Sequence, residues 1–159
     1  MANLTKKKDP NEQAPEIALR LLARREHSRF ELAMKLRQRR VDTQVIEQVL
    51  DDFEERKWLS DDRFAEVFVR QRVDAGYGPL KILADLQQKG IRNTPAELAA
   101  IPDSGWVAMA VQLRDKRFGL GDVSDDWHER QRQGAFLARR GYSAEHIEQA
   151  LATVRASEE

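Results

Sequence analysis

One apolar spacing occurs three times in this chain, and it restricts the fold more than any other feature. Leu36, Val41, Ile46 and Leu50 are separated by 5, 5 and 4 residues. Fifty residues on stand Leu86, Ile91, Ala96 and Ala100, and fifty-one further on stand Leu137, Tyr142, Ile147 and Leu151. The turn inside each set recurs too: Arg39-Arg40-Val41-Asp42, Lys89-Gly90-Ile91-Arg92 and Arg140-Gly141-Tyr142-Ser143. Each has a basic or glycine residue at a helix end, an apolar plug, and a polar start to the next helix. A unit of this length is one supersecondary element that can barely close a core alone, so neighbours are expected to pack against one another.

The elements inside each unit are helical. Ile17, Ala18, Leu21 and Leu22 form one apolar stripe. Val45, Ile46, Val49, Leu50 and Phe53 form another, and Ile147, Ala150, Leu151 and Val154 a third. No alternating run is long enough to suggest a strand. Ser28 followed by Glu31 has capping-box spacing, and Thr94-Pro95-Ala96-Glu97 repeats it with proline at the first helical position. Asp42, Ser60 and Ser143 are further N-caps, while Gly78-Pro79, Gly90 and Gly141 mark breaks. The pattern predicts nine helices, at about 16–26, 28–40, 42–57, 60–75, 79–89, 94–101, 104–117, 125–140 and 143–156. They fall into three-helix repeats over 16–57, 58–102 and 103–156, behind a disordered tail at 1–15. The expected fold is all-α, an elongated array of three tandem three-helix repeats. The connection Phe118 to Ser124 carries two glycines and suggests a flexible or functional loop.

Composition removes several chemistries. The chain of 159 residues has no cysteine, which excludes disulfides, thiol nucleophiles and Cys-based zinc sites and fits a reducing, cytoplasmic compartment. No apolar run approaches the ~20 residues of a membrane helix. His27, His128 and His146 lack ligand partners at helical spacing; where a zincin string beginning at His128-Glu129 needs its second histidine, Arg132 stands. Gly76-Tyr77-Gly78 lacks the third glycine of a dinucleotide fingerprint, and there is no P-loop. Asp61-Asp62 and Asp125-Asp126 are better explained by first-turn helix electrostatics than by paired-carboxylate catalysis. No nucleophile, base and orienting group assemble, so the expectation is no enzyme, no metal and no cofactor.

Charge is the better lead. The net charge is zero, from 27 basic and 27 acidic residues, but its distribution is uneven. Residues 16–50 carry +3, with eight cations between Arg20 and Arg40 against Glu26 and Glu31. Residues 51–66 carry −4. Arg20 and Arg24 lie opposite the first apolar stripe. Lys35, Arg37, Arg39 and Arg40 crowd the first corner, Lys89 and Arg92 flank the second, and Arg139 and Arg140 mark the third. Singly, these cations are ordinary partners for helix C-termini; in register along an array they could follow a polyanion. Tyr77, Phe118 and Tyr142 are isolated candidates for base stacking. Backbone contact with nucleic acid is therefore favoured over sequence readout.

Trp58-Leu59-Ser60-Asp61-Asp62-Arg63-Phe64-Ala65, followed by Gly78-Pro79-Leu80-Lys81-Ile82, Leu86 and Lys89-Gly90-Ile91, resembles the central signature of the bacterial RecX regulators of recombination. His27-Ser28-Arg29-Phe30-Glu31-Leu32 with Lys35-Leu36 resembles their first-unit motif. Lys116-Arg117-Phe118-Gly119 and Phe136-Leu137-Ala138-Arg139-Arg140-Gly141-Tyr142 resemble the third. The resemblance covers about 16–155; Trp58 stands where the family often has tyrosine. It implies three tandem three-helix repeats and a monomer that binds the RecA recombinase. Such proteins lodge in the groove of the RecA–DNA filament and suppress its ATPase, strand-exchange and coprotease activities without chemistry of their own. The resemblance thereby implies a role in recombination, DNA repair and the SOS response. It leaves DNA, single- or double-stranded, as a weaker and sequence-independent partner. Arg63, with Asp61 and Asp62, joins the basic corners as an interface candidate. The alternatives from charge alone are a sequence-independent DNA-binding helical module and a helical adaptor for an unrelated protein.

Overall fold

The structure, a computed structural model, describes residues 9–156. Among these every regular element is a helix. They are α1 (Pro10–Arg24), α2 (Arg29–Gln38), α3 (Thr43–Glu55), α4 (Asp61–Asp74), α5 (Pro79–Gln88), α6 (Ala96–Ala99), α7 (Asp103–Phe118), α8 (Trp127–Arg139) and α9 (Ala144–Ala152).

Helix α1 begins earlier than its apolar stripe suggested. Asp9 caps it, accepting from the Asn11 N–H at 2.9 Å, and Pro10 takes the first helical position. Asn11 and Asp42 exchange two hydrogen bonds of 2.9 Å, which tie this first turn to the start of α3. Residues 10–15 are therefore helix rather than tail; residues 1–8 of the expected tail lie outside the described residues. The Ser28–Glu31 capping box forms in both directions, and Ser60 and Ser143 cap α4 and α9. The Thr94–Glu97 box does not form. Pro95 is the N-cap without a side-chain bond, and α6 is a single turn, with Pro102 soon after it. Accordingly Ala96 and Ala100 are exposed, while Leu36, Val41, Ile46 and Leu50 in the first set, and Leu137, Tyr142 and Leu151 in the third, are buried.

The recurring plug has a specific backbone cause. After α2, the Val41 N–H returns to the Leu36 carbonyl and the Arg40 N–H to the Arg37 carbonyl, with Arg40 left-handed at φ 66°. After α8, Tyr142 returns to Leu137 and Gly141 to Ala138, with Gly141 at φ 99°. Both are Schellman closures, in which the apolar residue after the left-handed position folds back on the helix. Gly90, at φ 80°, holds the same place after α5.

Compactness divides the chain into two units, a different grouping from the threefold periodicity. The first takes the described residues up to Val67 together with Lys89–Ile91; the second takes Phe68–Gln88 and the residues from Arg92 onward. In the first unit α1, α2 and α3 pack on one another around Leu32, Leu36, Ile46, Leu50 and Phe53. In the second, α7, α8 and α9 do the same around Trp106, Ala110, Leu137 and Leu151. The middle triplet, with its single-turn α6, makes no comparable triad of its own.

The loop after α7 is pinned rather than slack. Arg114 is fully buried, and its guanidinium donates to the Gly121 carbonyl (2.7 Å), the Thr153 carbonyl (2.6 Å), the Ala150 carbonyl (3.2 Å) and Gln133 Oε1 (2.7 Å). One cation thus closes the last turn of α9 and anchors the glycine loop. The Arg155 N–H adds a 2.9 Å bond to the Leu120 carbonyl. This is why α9 ends at Ala152 rather than near 156 and leaves Val154 exposed.

Candidate partner and nucleic-acid interface

In the first unit, α1 and the end of α2 bring three of the expected cations together. Arg20, Arg24 and Arg39 surround a hollow of about 110 Å³ whose remaining lining is Ile17 and Leu21. Arg20 holds Glu16 at 2.7 Å on an exposed surface, a pair worth little. Arg24, Arg39 and Arg40 are exposed and, among the described residues, pair with no carboxylate. Arg37 is exposed as well, and its side chain reaches the Met34 sulfur at 3.7 Å. The carbonyl ends of α1 and α2 favour cations here, so part of this clustering is ordinary helix electrostatics.

Other candidates are engaged inside the same unit. Arg63 donates to Glu26 at 2.6 Å and to the Lys57 and Trp58 carbonyls, so it closes the α3–α4 turn. Asp61 accepts from the Arg29 N–H at 2.7 Å. Asp62 is exposed. Lys89 donates to Glu31 at 3.1 Å. Lys35 lies 2.9 Å from His27 Nε2, and burial with the neighbouring Arg25 charge lowers its pKa. In the second unit Arg92 and Arg139 are exposed, while Arg140 lies over the Tyr77 ring at 4.8 Å.

Sequence reasoning missed the cations that organise this surface. Arg25 grips Glu31 with two bonds, of 3.0 and 2.8 Å. Burial pushes the Glu31 carboxyl up, but Arg25 and Lys89 outweigh it and hold its pKa at about 2. Arg29 meets Glu47, Asp51 and Glu54 at 2.7, 2.8 and 2.9 Å, which neutralises much of the acidic face of α3. The signal was available: an arginine at the first position of α2 and acids spaced along the next helix. The aromatic expectations also shift. Tyr142 is buried with its hydroxyl on the Gly76 carbonyl at 3.0 Å, and burial raises its pKa to about 12. Phe118 packs on Phe136 beneath Arg117 and Arg132. The exposed rings among the described residues are instead Phe30, Trp58 and Trp127. No described helix is long and apolar enough to cross a membrane.

The comparisons agree with this helical plan. Residues 14–53 match the RecX first three-helix domain, 60–99 the second and 107–151 the third. The chain belongs to the RecX family. The regulatory protein RecX of Halorhodospira halophila is 42% identical over 150 residues, covering 94% of this chain and 92% of that protein. RecX of Pseudomonas fluorescens strain SBW25 is 42% identical over 136 residues, covering 84% and 86%. Crystallised RecX from Lactobacillus salivarius superposes with a TM-score of 0.73 at 23% identity, over 90% of this chain and 95% of that one, and shares the fold. RecX proteins are regulators rather than catalysts, and this chain is one of them.

Proposed function

We propose that this RecX-family chain is a negative regulator of RecA: it binds the groove of the RecA–DNA filament and inhibits ATP hydrolysis, strand exchange and coprotease activity. The observation that carries this reading is the presence of all three RecX domains, in order, over nearly the whole chain. Arg24, Arg39 and Arg40 of the first unit support it: they are exposed and, among the described residues, pair with no carboxylate, which leaves positive charge available to a partner. Three linked domains also allow several weak contacts to act together on a repeating filament, which raises avidity without any single strong site. The protein would act as a cytoplasmic monomer, through three repeats near 16–57, 58–102 and 103–156. Lys35, Arg63, Lys89 and Arg140 would shape the interface rather than reach across it.

The test is RecA ATP hydrolysis on single-stranded DNA with this protein titrated in. The rate is expected to fall saturably, and an unchanged rate at every ratio would refute the proposal. A second reading, sequence-independent DNA binding without a RecA-specific role, draws on the same unpaired arginines. It requires tight binding to naked DNA that weakens steeply with salt. Changing Arg37, Arg39 and Arg40 together to Glu tests the basic strip that both readings use: DNA and filament binding that both survive would show that the strip is not the interface.

A further inference from the structure

The hollow between α1 and the end of α2 is not built as a plain phosphate site. Its lining alternates charge with hydrocarbon: Arg20, Arg24 and Arg39 around Ile17 and Leu21. A volume of about 110 Å³ is of the order that admits a small aliphatic group, since about 150 Å³ is enough for benzene. A phosphodiester would meet the arginines and leave the apolar floor wet. A peptide carrying one aliphatic side chain between carboxylates would satisfy both, because guanidinium groups pair with carboxylates in forked geometry while the aliphatic group leaves water.

The backbone beside the hollow points the same way. Arg40 occupies the left-handed position that glycine fills at the equivalent corners, Gly90 and Gly141. A side chain there costs about 1 kcal/mol. Among the described residues the Arg40 side chain makes no ion pair or hydrogen bond, which leaves its charge exposed at this corner.

We infer that this corner is a docking site for an acidic peptide segment of a partner protein, with an aliphatic residue seated on Ile17 and Leu21 and its flanking carboxylates held by Arg24, Arg39 and Arg40. This deepens the reading of the basic corner as a partner surface by naming the chemistry it takes.

The probe is a fluorescein-labelled peptide with one leucine among glutamates, titrated with the full chain and followed by anisotropy. The comparators are the same peptide with serine for leucine, at unchanged charge, and a single-stranded thymidine oligonucleotide. The leucine peptide is expected to bind roughly tenfold more tightly than the serine peptide. Arg24→Gln with Arg39→Gln is expected to weaken it by a further factor of about ten, with thermal unfolding unchanged because both side chains are exposed. Equal binding of the two peptides would overturn the inference, as would binding of the oligonucleotide alone. Peptide binding without ATPase inhibition would leave this site standing and remove the RecA proposal; inhibition without peptide binding would do the reverse.

Discussion

At the scale of single residues, His27 and Glu31 give the first unit a two-stage response to acid. His27 is buried, lying 3.1 Å from the Arg25 carbonyl through Nδ1 and 2.9 Å from Lys35 through Nε2. The carbonyl requires the proton on Nδ1, so Nε2 accepts from the ammonium. Burial first, then the Arg25 and Lys35 charges, lower its pKa below 6.5. The unfolded chain therefore takes up a proton near pH 6.5 that the native state refuses, and stability falls as the pH drops through that value. Glu31 acts lower. Its native pKa of about 2 against 4.5 gives stability that is full above 4.5 and lost as the pH falls toward 2. Urea unfolding as a function of pH should show both declines, and His27→Gln should remove the upper one; an upper decline that persists in that variant would rule out His27 as its source. Arg40→Gly is expected to stabilise the fold by about 1 kcal/mol through relief of its left-handed backbone, seen as a higher urea midpoint. A lower midpoint would mean that the side chain contributes to the fold.

At the scale of elements, Arg114 is the clearest dependency. Arg114→Met would leave the Gly121, Ala150 and Thr153 carbonyls without their donor and should cost about 3 kcal/mol. Limited proteolysis should then cut within 119–124 faster than in the parent chain; equal resistance would show that Leu120 and Arg155 suffice to hold the loop. Nothing in the local pattern announced this. Arg114 sits in a charged stretch beside Asp115, Lys116 and Arg117, and only the return of α9 past α7 buries it. The corners, by contrast, were legible because a Schellman closure needs an apolar residue at one fixed offset, and Val41 and Tyr142 supply it. Helix starts were legible where a serine caps its own helix. They were not where the decisive bond is long-range, as between Asn11 and Asp42, or where prolines confine α6 to one turn. Gly78→Ala should destabilise the second unit, since an added Cβ would lie 2.5 Å from the Gly141 backbone. A melting temperature equal to that of the parent protein would show that this approach can relax freely.

At the scale of the whole molecule, periodicity conveyed the helical repeats and the quoted motifs conveyed the family. The candidate site was only half legible. Charge counting finds every arginine alike, whereas Arg63 is committed to Glu26 and two carbonyls while Arg24 and Arg39, among the described residues, pair with no carboxylate. Which cations remain for a partner depends on which carboxylates the fold brings near, and that is tertiary information. The central claim is that the free cations serve an assembled filament rather than DNA or a lone protein. The most direct measurement compares binding of the labelled chain to RecA assembled on single-stranded DNA, to RecA alone and to the same DNA alone, in one buffer at physiological salt. The account predicts much tighter binding to the filament than to either component; equal affinity for the filament and for naked DNA would contradict it.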